Sequence, residues 1–508
     1  MRTSSRGRVV DNHVLTRSFL VAALTTGLVA CASAREVTPT PLEINRIPNR
    51  CDDASPTRNI AVFFDGTNNT ETSATNIFQL RNLASLQPPR PDGCPINHSL
   101  YVEGVGTEGL VRRFVGLLTG AGIDEDVRQA YAFVARNYRG PQDHIYVFGF
   151  SRGAAAARIL ASFIYHAGLP TDRGASWSDG GGEIRTLYGA YATIQPSSTI
   201  KRDRLRRMAG ESGVRDARID FLGLFDTVPA LGLWYFGKTD GRIPQRYSDQ
   251  LCNVDRAVHA LSIDDNREKS FFPSLLTNAL LEECGGGDQR DINSFVDQVW
   301  FSGAHSDVGG GNFTDLSGVP LNWMIELLKE YDRESIRSIR RGAARSSLLG
   351  DGDGVFENPL GTSQDAAANF LLGWQNRNRS IPEYFKELGK EGGLGSACPV
   401  VHQSVIDRLE ARDTRLSRDF DWIACNPPGP DEFATNYPQC FDVFDENGNV
   451  VELPPPGVRL PNRNEVTLKF NPDKPVIDGC PSSCCPTIWR QRRSDAAEAA
   501  SGAIAPRQ

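Results

Sequence analysis

Past residue 31 the sequence has no run of about 18 uncharged apolar residues, the minimum for a membrane-spanning helix, so nothing in the body reads as a transmembrane segment. It also lacks a concentrated basic region. Its 55 Lys and Arg stand against 62 Asp and Glu, a formal charge of −7, which argues against a nucleic-acid partner. There is no internal repeat, and 40% hydrophobic with 23% charged residues excludes disorder, collagen and coiled coil. No CxxC pair is present. Asp351-Gly352-Asp353-Gly354 lacks the full spacing of a calcium loop, so no metal or other cofactor is expected. What remains is a globular chain of 508 residues, long enough to bury a large core and best read as an enzyme.

The N-terminus is a targeting segment. Arg2, Arg6, Arg8 and Arg17 precede an uncharged run from Ser18 to Ala30, the pattern of a secretory signal. Leu28-Val29-Ala30-Cys31 resembles the bacterial lipobox, which implies cleavage before Cys31 and lipidation on it. A plain cleaved signal is the alternative. Acyl chains on Cys31 would attach the protein to a membrane on the periplasmic side of a bacterial envelope. Ala32, where an inner-membrane retention Asp could stand, points to the outer membrane. Without Cys31, ten of the 11 cysteines remain, an even number that suggests disulfides in an oxidising compartment. A metal site around Cys480, Cys484 and Cys485 is the lesser reading.

The expected organisation is a signal at 1–30 and a proline-rich tether at 31–58. A catalytic domain at 59–340 would carry an insertion at 168–217, followed by a Cys- and Pro-rich extension at 341–491 and a disordered tail at 492–508. Within 59–340, short apolar strands alternate with helical stretches, the signature of an α/β fold with a mainly parallel sheet and flanking helices. Ile60–Phe64, Ile145–Phe148, Phe221–Phe225, Ala257–Ile263 and Val299–Phe301 read as buried strands. Residues 123–138 read as an amphipathic helix, with Val127, Tyr131, Val134 and Tyr138 on one face. The insertion holds a basic run from Lys201 to Arg207, read as a solvated helix face or as a cap meeting anionic headgroups. A helix is expected near Asp365–Trp374, and a hairpin at Asn447-Gly448 joining Phe441–Phe444 to Val450–Leu453.

The chemistry lies at strand ends, where ligand sites form in open α/β sheets. Gly149-Phe150-Ser151-Arg152-Gly153 matches G-x-S-x-G between a strand and an Ala-rich helix, as a nucleophile elbow requires. Gly149 and Gly153 would permit the sharp turn, Ser151 would be the nucleophile, and the Arg152 N–H would face a developing oxyanion. Gly66 or Thr67, after Asp65 at the end of the first strand, would supply a second backbone donor. A serine needs a base. Six histidines lie beyond the signal, and His305, in the glycine-rich loop after the last strand, is best placed. His402 is a distant second. Two acids could orient it. Asp264 ends the strand before the His305 strand, where this fold usually puts the acid, and is preferred; Asp226 is the alternative.

Five motifs in order carry a resemblance. They are Phe64-Asp65-Gly66-Thr67-Asn68-Asn69, Gly149–Ala154, Phe225-Asp226-Thr227-Val228, His259–Asp264 and Gly303–Gly311. Over residues 58–330 they resemble the α/β-hydrolase domain of the first (Tle) class of type VI secretion phospholipase effectors. The resemblance implies a serine lipase fold, with Ser151 as nucleophile, His305 as base and Asp264 or Asp226 as acid. The expected activity is ester hydrolysis on phospholipid, by a lipase or phospholipase A. A non-catalytic binding lipoprotein and a carbohydrate O-deacylase are the alternatives.

Overall fold

The computed structural model describes residues 57–410 apart from several loops, the longest at 105–120, 172–181, 230–242, 339–346 and 360–399 (Arg379 excepted). Beyond 410 it describes positions within 441–450, 467–470 and 487–489. The signal, the Cys31 region, the helix expected near Asp365–Trp374 and the tail lie outside the described residues.

The chain enters through β1 (Asn59–Phe64), a strand buried on both faces. Helix α1 (Asn76–Ser85) starts at Thr75, whose hydroxyl accepts the Phe78 N–H as an N-cap. Strand β2 (Asn97–Val102) alternates in burial, as an edge strand does. Helix α2 (Ala121–Asn137) turns Val127, Tyr131 and Val134 into the core. Strand β3 (His144–Phe150) then leads directly into α3 (Arg152–Ala167), whose run of alanines is buried almost along its whole length. The insertion contains β4 (Leu169–Pro170), helices α4 (Gly182–Thr193) and α5 (Ser198–Met208), and β5 (Val214–Arg215), which pairs with β4. Strands β6 (Ile219–Phe225), β7 (Val254–Ser262) and β8 (Val296–Phe301) follow. A short helix α6 (His305–Gly309) precedes α7 (Gly318–Ser338). The extension adds β9 (Val400–Val401), α8 (Gln403–Glu410), β10 (Phe441–Phe444), β11 (Thr467–Phe470) and β12 (Thr487–Ile488).

The main sheet has eight strands in the order β12-β9-β8-β7-β6-β3-β1-β2, and every pairing within it is parallel. Side chains alternate between its faces. Ile60, Val62, Ile145, Val147, Leu222 and Leu224 join the core under α2 and α3. Ala61, Phe63, Tyr146, Phe148 and Phe221 join the core under α1 and α7. Both faces are thus covered, as a parallel sheet requires, and the fold is of the α/β-hydrolase class.

Three features differ from the sequence reading. The extension is not separate from the sheet, since β9 docks on β8 through the His402 N–H to the Trp300 carbonyl, and β12 docks on β9. Phe441–Phe444 pairs antiparallel with Thr467–Phe470, and only a single bridge from Phe444 reaches Val450; 451–453 lie outside the described residues. The basic run is not a uniform solvated face either. Lys201 is fully buried, its Nζ donating to Ser248 Oγ at 2.7 Å and lying 4.4 Å from the Tyr191 ring centroid, while Arg202 and Arg206 pair with Asp216.

Among the described cysteines, Cys252 and Cys284 form a disulfide and Cys94 is disulfide-bonded. No helix among the described residues is long and apolar enough to cross a membrane.

Candidate active site

The sharp turn from β3 into α3 puts Ser151 at φ 58°, ψ −122°, a left-handed conformation that non-glycine residues rarely adopt. Such strain costs on the order of 1–3 kcal/mol and persists only where surroundings enforce it. Here the Ser151 N–H donates to the Phe225 carbonyl at 3.0 Å, and the Ser151 carbonyl accepts from Ala154 and Val228. The flanking glycines answer to close approach. A Cβ on Gly149 would lie 2.5 Å from the Gly153 carbonyl oxygen, and one on Gly153 would lie 2.5 Å from the Asp65 carbonyl oxygen.

His305 begins α6, so its ring projects from the end of β8 over the sheet edge. Asp307 caps that helix by accepting the Ala304 N–H at 2.8 Å, and Asp265 accepts the His305 N–H at 3.2 Å. His305 Nε2 lies 2.8 Å from Ser151 Oγ, and His305 Nδ1 lies 2.6 Å from Asp226 Oδ2. An ionised carboxylate only accepts, so Nδ1 carries the proton and the Nε2 lone pair faces the hydroxyl. Phe150 packs 4.7 Å from the imidazole, centroid to centroid. Ser151, His305 and Asp226 are all buried.

Electrostatics follow from that burial. Desolvation pushes the His305 pKa down while the Asp226 hydrogen bond and charge push it up, and the balance lies below the usual histidine value. Desolvation pushes Asp226 up. The Arg379 charge and the His305 bond outweigh it and hold the carboxyl well below the usual range. The imidazole is therefore neutral and the carboxylate ionised at neutral pH, the pairing a general base requires.

The carboxylate that meets His305 is thus Asp226, not the preferred Asp264. Asp264 Oδ2 accepts the Gly303 N–H at 2.5 Å, and its own N–H donates to the Gly303 carbonyl, so it ties the β7 loop to the β8 loop. Its neighbour Asp265 holds the His305 main chain. The physical reason is lateral distance. Strand β6 adjoins β3 in the sheet and β7 is one strand farther out, so the β6 end comes closest to the elbow.

The oxyanion residues are placed less simply. Arg152 opens α3, where a first-turn N–H has no acceptor within the helix, and its side chain donates to Thr67 Oγ1. The Gly66 N–H, expected to face the oxyanion, is instead committed to its neighbour Asp65 Oδ1 at 2.6 Å. Asp65 is buried and needs donors; its other oxygen accepts from Tyr101 Oη at 2.6 Å and from the Thr75 hydroxyl. Burial raises the Asp65 pKa, and those hydrogen bonds oppose it. His402 is remote from the serine: its Nδ1 pairs with Ser404 Oγ and its ring stacks on Phe301 and Trp489.

Arg379, which makes a bidentate pair with Asp226, had no signal in a single sequence, and His259, which opens one of the motifs, accepts the Thr227 N–H at Nε2, 3.2 Å away. No cluster of three or more His, Cys, Asp or Glu that could hold a metal occurs among the described residues.

Residues 58–327, just over half of the chain, match the family model of the type VI secretion phospholipase effector Tle1-like catalytic domain. The chain belongs to this family. It is 27% identical over 309 residues to the uncharacterized protein YEL023C of Saccharomyces cerevisiae, covering 52% of this chain and 42% of that one. This Tle1-like chain therefore spans less than half the length of that relative. Among solved structures, an uncharacterized protein from Pseudomonas aeruginosa aligns over 64% of this chain and 50% of its own, at 18% identity and a TM-score of 0.32. The Tle1 effector bound to the VgrG spike of the type VI secretion system aligns over 53% of each chain, at 20% identity and a TM-score of 0.26. Likenesses of that size carry no argument about function.

Proposed function

We propose that this Tle1-like protein is a serine hydrolase cleaving carboxylic esters of lipids, as a lipase or phospholipase A. The observation that carries the reading is the continuous hydrogen-bonded line from Ser151 Oγ through His305 to Asp226, at 2.8 and 2.6 Å. Its three members come from the ends of β3, β6 and β8, far apart in sequence. Three separate strand ends converging on one buried line, with the serine strained outward, fit nucleophilic catalysis better than a binding scaffold.

In this mechanism His305 Nε2 takes the Ser151 proton as Oγ attacks the ester carbonyl. Asp226 stabilises the imidazolium that forms and keeps Nδ1 protonated. The Arg152 N–H receives the oxyanion. A second donor comes from the β1 loop, once the Gly66 N–H turns from Asp65 or the Thr67 N–H takes its place. Collapse expels the alcohol, which takes its proton from His305, and leaves an acyl group on Ser151. Water deprotonated by His305 then releases the carboxylic acid. No metal or other cofactor enters these steps.

Membership of a phospholipase effector family supports a lipid ester as substrate. The lipobox-like Leu28–Cys31 supports export and attachment through lipidated Cys31, on the periplasmic side of a bacterial envelope. The test compares the mature chain with Ser151→Ala on p-nitrophenyl butyrate, p-nitrophenyl palmitate and phosphatidylglycerol vesicles. Fatty acid released from vesicles, and lost in the variant, is the expected result. Turnover of the short ester alone would make the enzyme an esterase or deacylase. Equal turnover by both proteins would remove Ser151 from the mechanism.

A further inference from the structure

Arg379 lies in the C-terminal extension, beyond residue 327 where the family match ends. Its side chain has no exposure. Its two terminal nitrogens grip the two oxygens of Asp226 separately, Nη1 to Oδ1 and Nη2 to Oδ2, each at 2.8 Å. Nη1 also donates to the Ser262 carbonyl at 2.8 Å, and the Arg379 N–H donates to the Asp265 carbonyl. The guanidinium therefore sits between the ends of β6 and β7 and faces the carboxylate edge-on, the rigid fork geometry that only arginine offers.

We propose that Arg379 is a positioning residue for the hydrolytic reaction, so that the extension completes the active site. The inference rests on the serine-hydrolase reading above. Asp226 Oδ2 is shared by Arg379 Nη2 and His305 Nδ1, and Oδ1 accepts the Ser262 N–H at 3.1 Å and Arg379 Nη1. With both oxygens held, the carboxylate plane is fixed, and with it the line from Oδ2 through the imidazole to Ser151. Arg379 also neutralises the charge behind His305. A buried carboxylate at 2.6 Å raises the imidazole pKa; burial, the largest influence on His305, outweighs that pull, and the guanidinium on the far side keeps Asp226 ionised.

A buried ion pair is an expensive way to tie an extension to a domain, since apolar residues of similar volume often do so at equal or better stability. The pair here instead touches the one carboxylate the base depends on. The groups around that carboxylate include Arg379, His305, Ser262, the His259 ring, which feels the Asp226 charge, and, at the other side of the Arg379 backbone, Asp265, which itself pairs with Arg267. None of them supplies a second positive charge to Asp226 by direct contact among the hydrogen bonds described.

The experiment uses the full mature chain and the variants Arg379→Met, Arg379→Lys and Ser151→Ala, with kcat and KM for p-nitrophenyl butyrate measured from pH 5 to 9. Arg379→Met should lower kcat at pH 7 by about 10²-fold, the size of effect a misplaced catalytic group produces. Its KM should stay within about threefold, since Arg379 does not touch substrate. Its acid limb should move upward by about 1–3 pH units, because an uncompensated Asp226 either raises the His305 pKa or becomes protonated itself. Activity lost at pH 6 should thus partly return at pH 9. Arg379→Lys keeps the charge and loses the fork, so its acid limb should stay close to the native one while kcat falls several-fold. A purely structural arginine would give a loss that is flat across pH, and that result overturns the proposal. So does a kcat within about twofold of native in either variant. If Arg379→Met does not fold, the lysine variant decides on its kcat alone. Undiminished turnover by Ser151→Ala is a different failure, that of the hydrolase reading, and leaves the arginine variants at native rates or unrelated to them.

Discussion

The main-chain N–H of Ser151 donates to the carbonyl of Phe225 at 3.0 Å, which joins the proposed nucleophile to the residue immediately before Asp226. Asp226 itself has φ 40°, and its N–H donates to the Ala260 carbonyl at 2.7 Å. Two strained residues are thus locked to one another at the carboxyl ends of adjacent strands. His305 needs only to reach across from β8 to bridge them.

That relationship separates the two candidate acids. Asp226→Asn should lower kcat by about 10⁴-fold, because an amide facing Nδ1 disfavours the tautomer that leaves Nε2 free to accept the serine proton. Asp264→Asn should cost far less in kcat and register mainly as lost stability of about 1–3 kcal/mol, since among the described residues its carboxylate holds the Gly303 N–H and does not meet His305. Rates and urea midpoints of the two variants measure this directly. A thousandfold or greater loss in Asp264→Asn would mean that the acid is assigned to the wrong strand end.

The pH dependence of the native enzyme follows from the same burial. His305 has a pKa below the ordinary 6.5, desolvation outweighing the pull of Asp226. A base with a lowered pKa stays unprotonated to lower pH, so the midpoint of the acid limb of kcat/KM should fall below pH 6.5. Hydrolysis of p-nitrophenyl butyrate between pH 4.5 and 9, read at an isosbestic wavelength, checks it. An acid limb centred above pH 7 would show that Asp226 outweighs burial.

The strands were legible in the sequence because a doubly covered parallel sheet leaves nearly continuous apolar runs, such as Ile60–Phe64, Ile145–Phe148 and Phe221–Phe225. Ser151 and His305 were legible because each ends such a run in a turn-forming cluster. The choice of Asp226 over Asp264 was not, because it depends on strand order across the sheet, a lateral property that strand spacing along the chain does not encode. Strand β2 escaped notice as an edge strand whose inward residues alternate with Asn97, Ser99 and Tyr101. Arg379 could not be found at all. Nothing local marks an arginine that meets its carboxylate 153 residues away.

The Cys252–Cys284 disulfide closes a loop of 32 residues between the start of β7 and the segment leading to β8. Loop-closure entropy for that length gives about 3–4 kcal/mol of stabilisation. Cys252→Ser/Cys284→Ser should therefore lose about that much in urea unfolding while kcat changes little, because β7 and β8 still pair over Ala257–Ser262 once folded. A drop in kcat without a drop in stability would instead place the bridge in the alignment of the β7 and β8 ends that carry Asp265 and His305.

His259 supplies the last prediction. It is fully buried, and burial first, with the Arg158 charge adding to it, lowers its pKa to about 3. Its Nε2 accepts the Thr227 N–H and its Nδ1 pairs with Gln298 Oε1 at 3.0 Å, so the folded ring is neutral and braces the residue next to Asp226. Unfolded, the same ring titrates near the ordinary 6.5. Between those values the unfolded state binds one more proton than the folded state. Stability therefore rises with pH across this window, is fully present above about pH 6.5, and falls by up to about 1.4 kcal/mol per pH unit as the solution is acidified toward pH 3. Burial lowers His166 to about 3, His402 to about 4 and His305 below the ordinary value by the same route, so up to four histidine protons enter on acid unfolding. Urea unfolding at pH 7, 6 and 5 should show that slope, and His259→Gln should remove about one proton from it. If the variant keeps the native slope, His259 is not among the groups that take up a proton on unfolding, and the acid sensitivity belongs to the other groups.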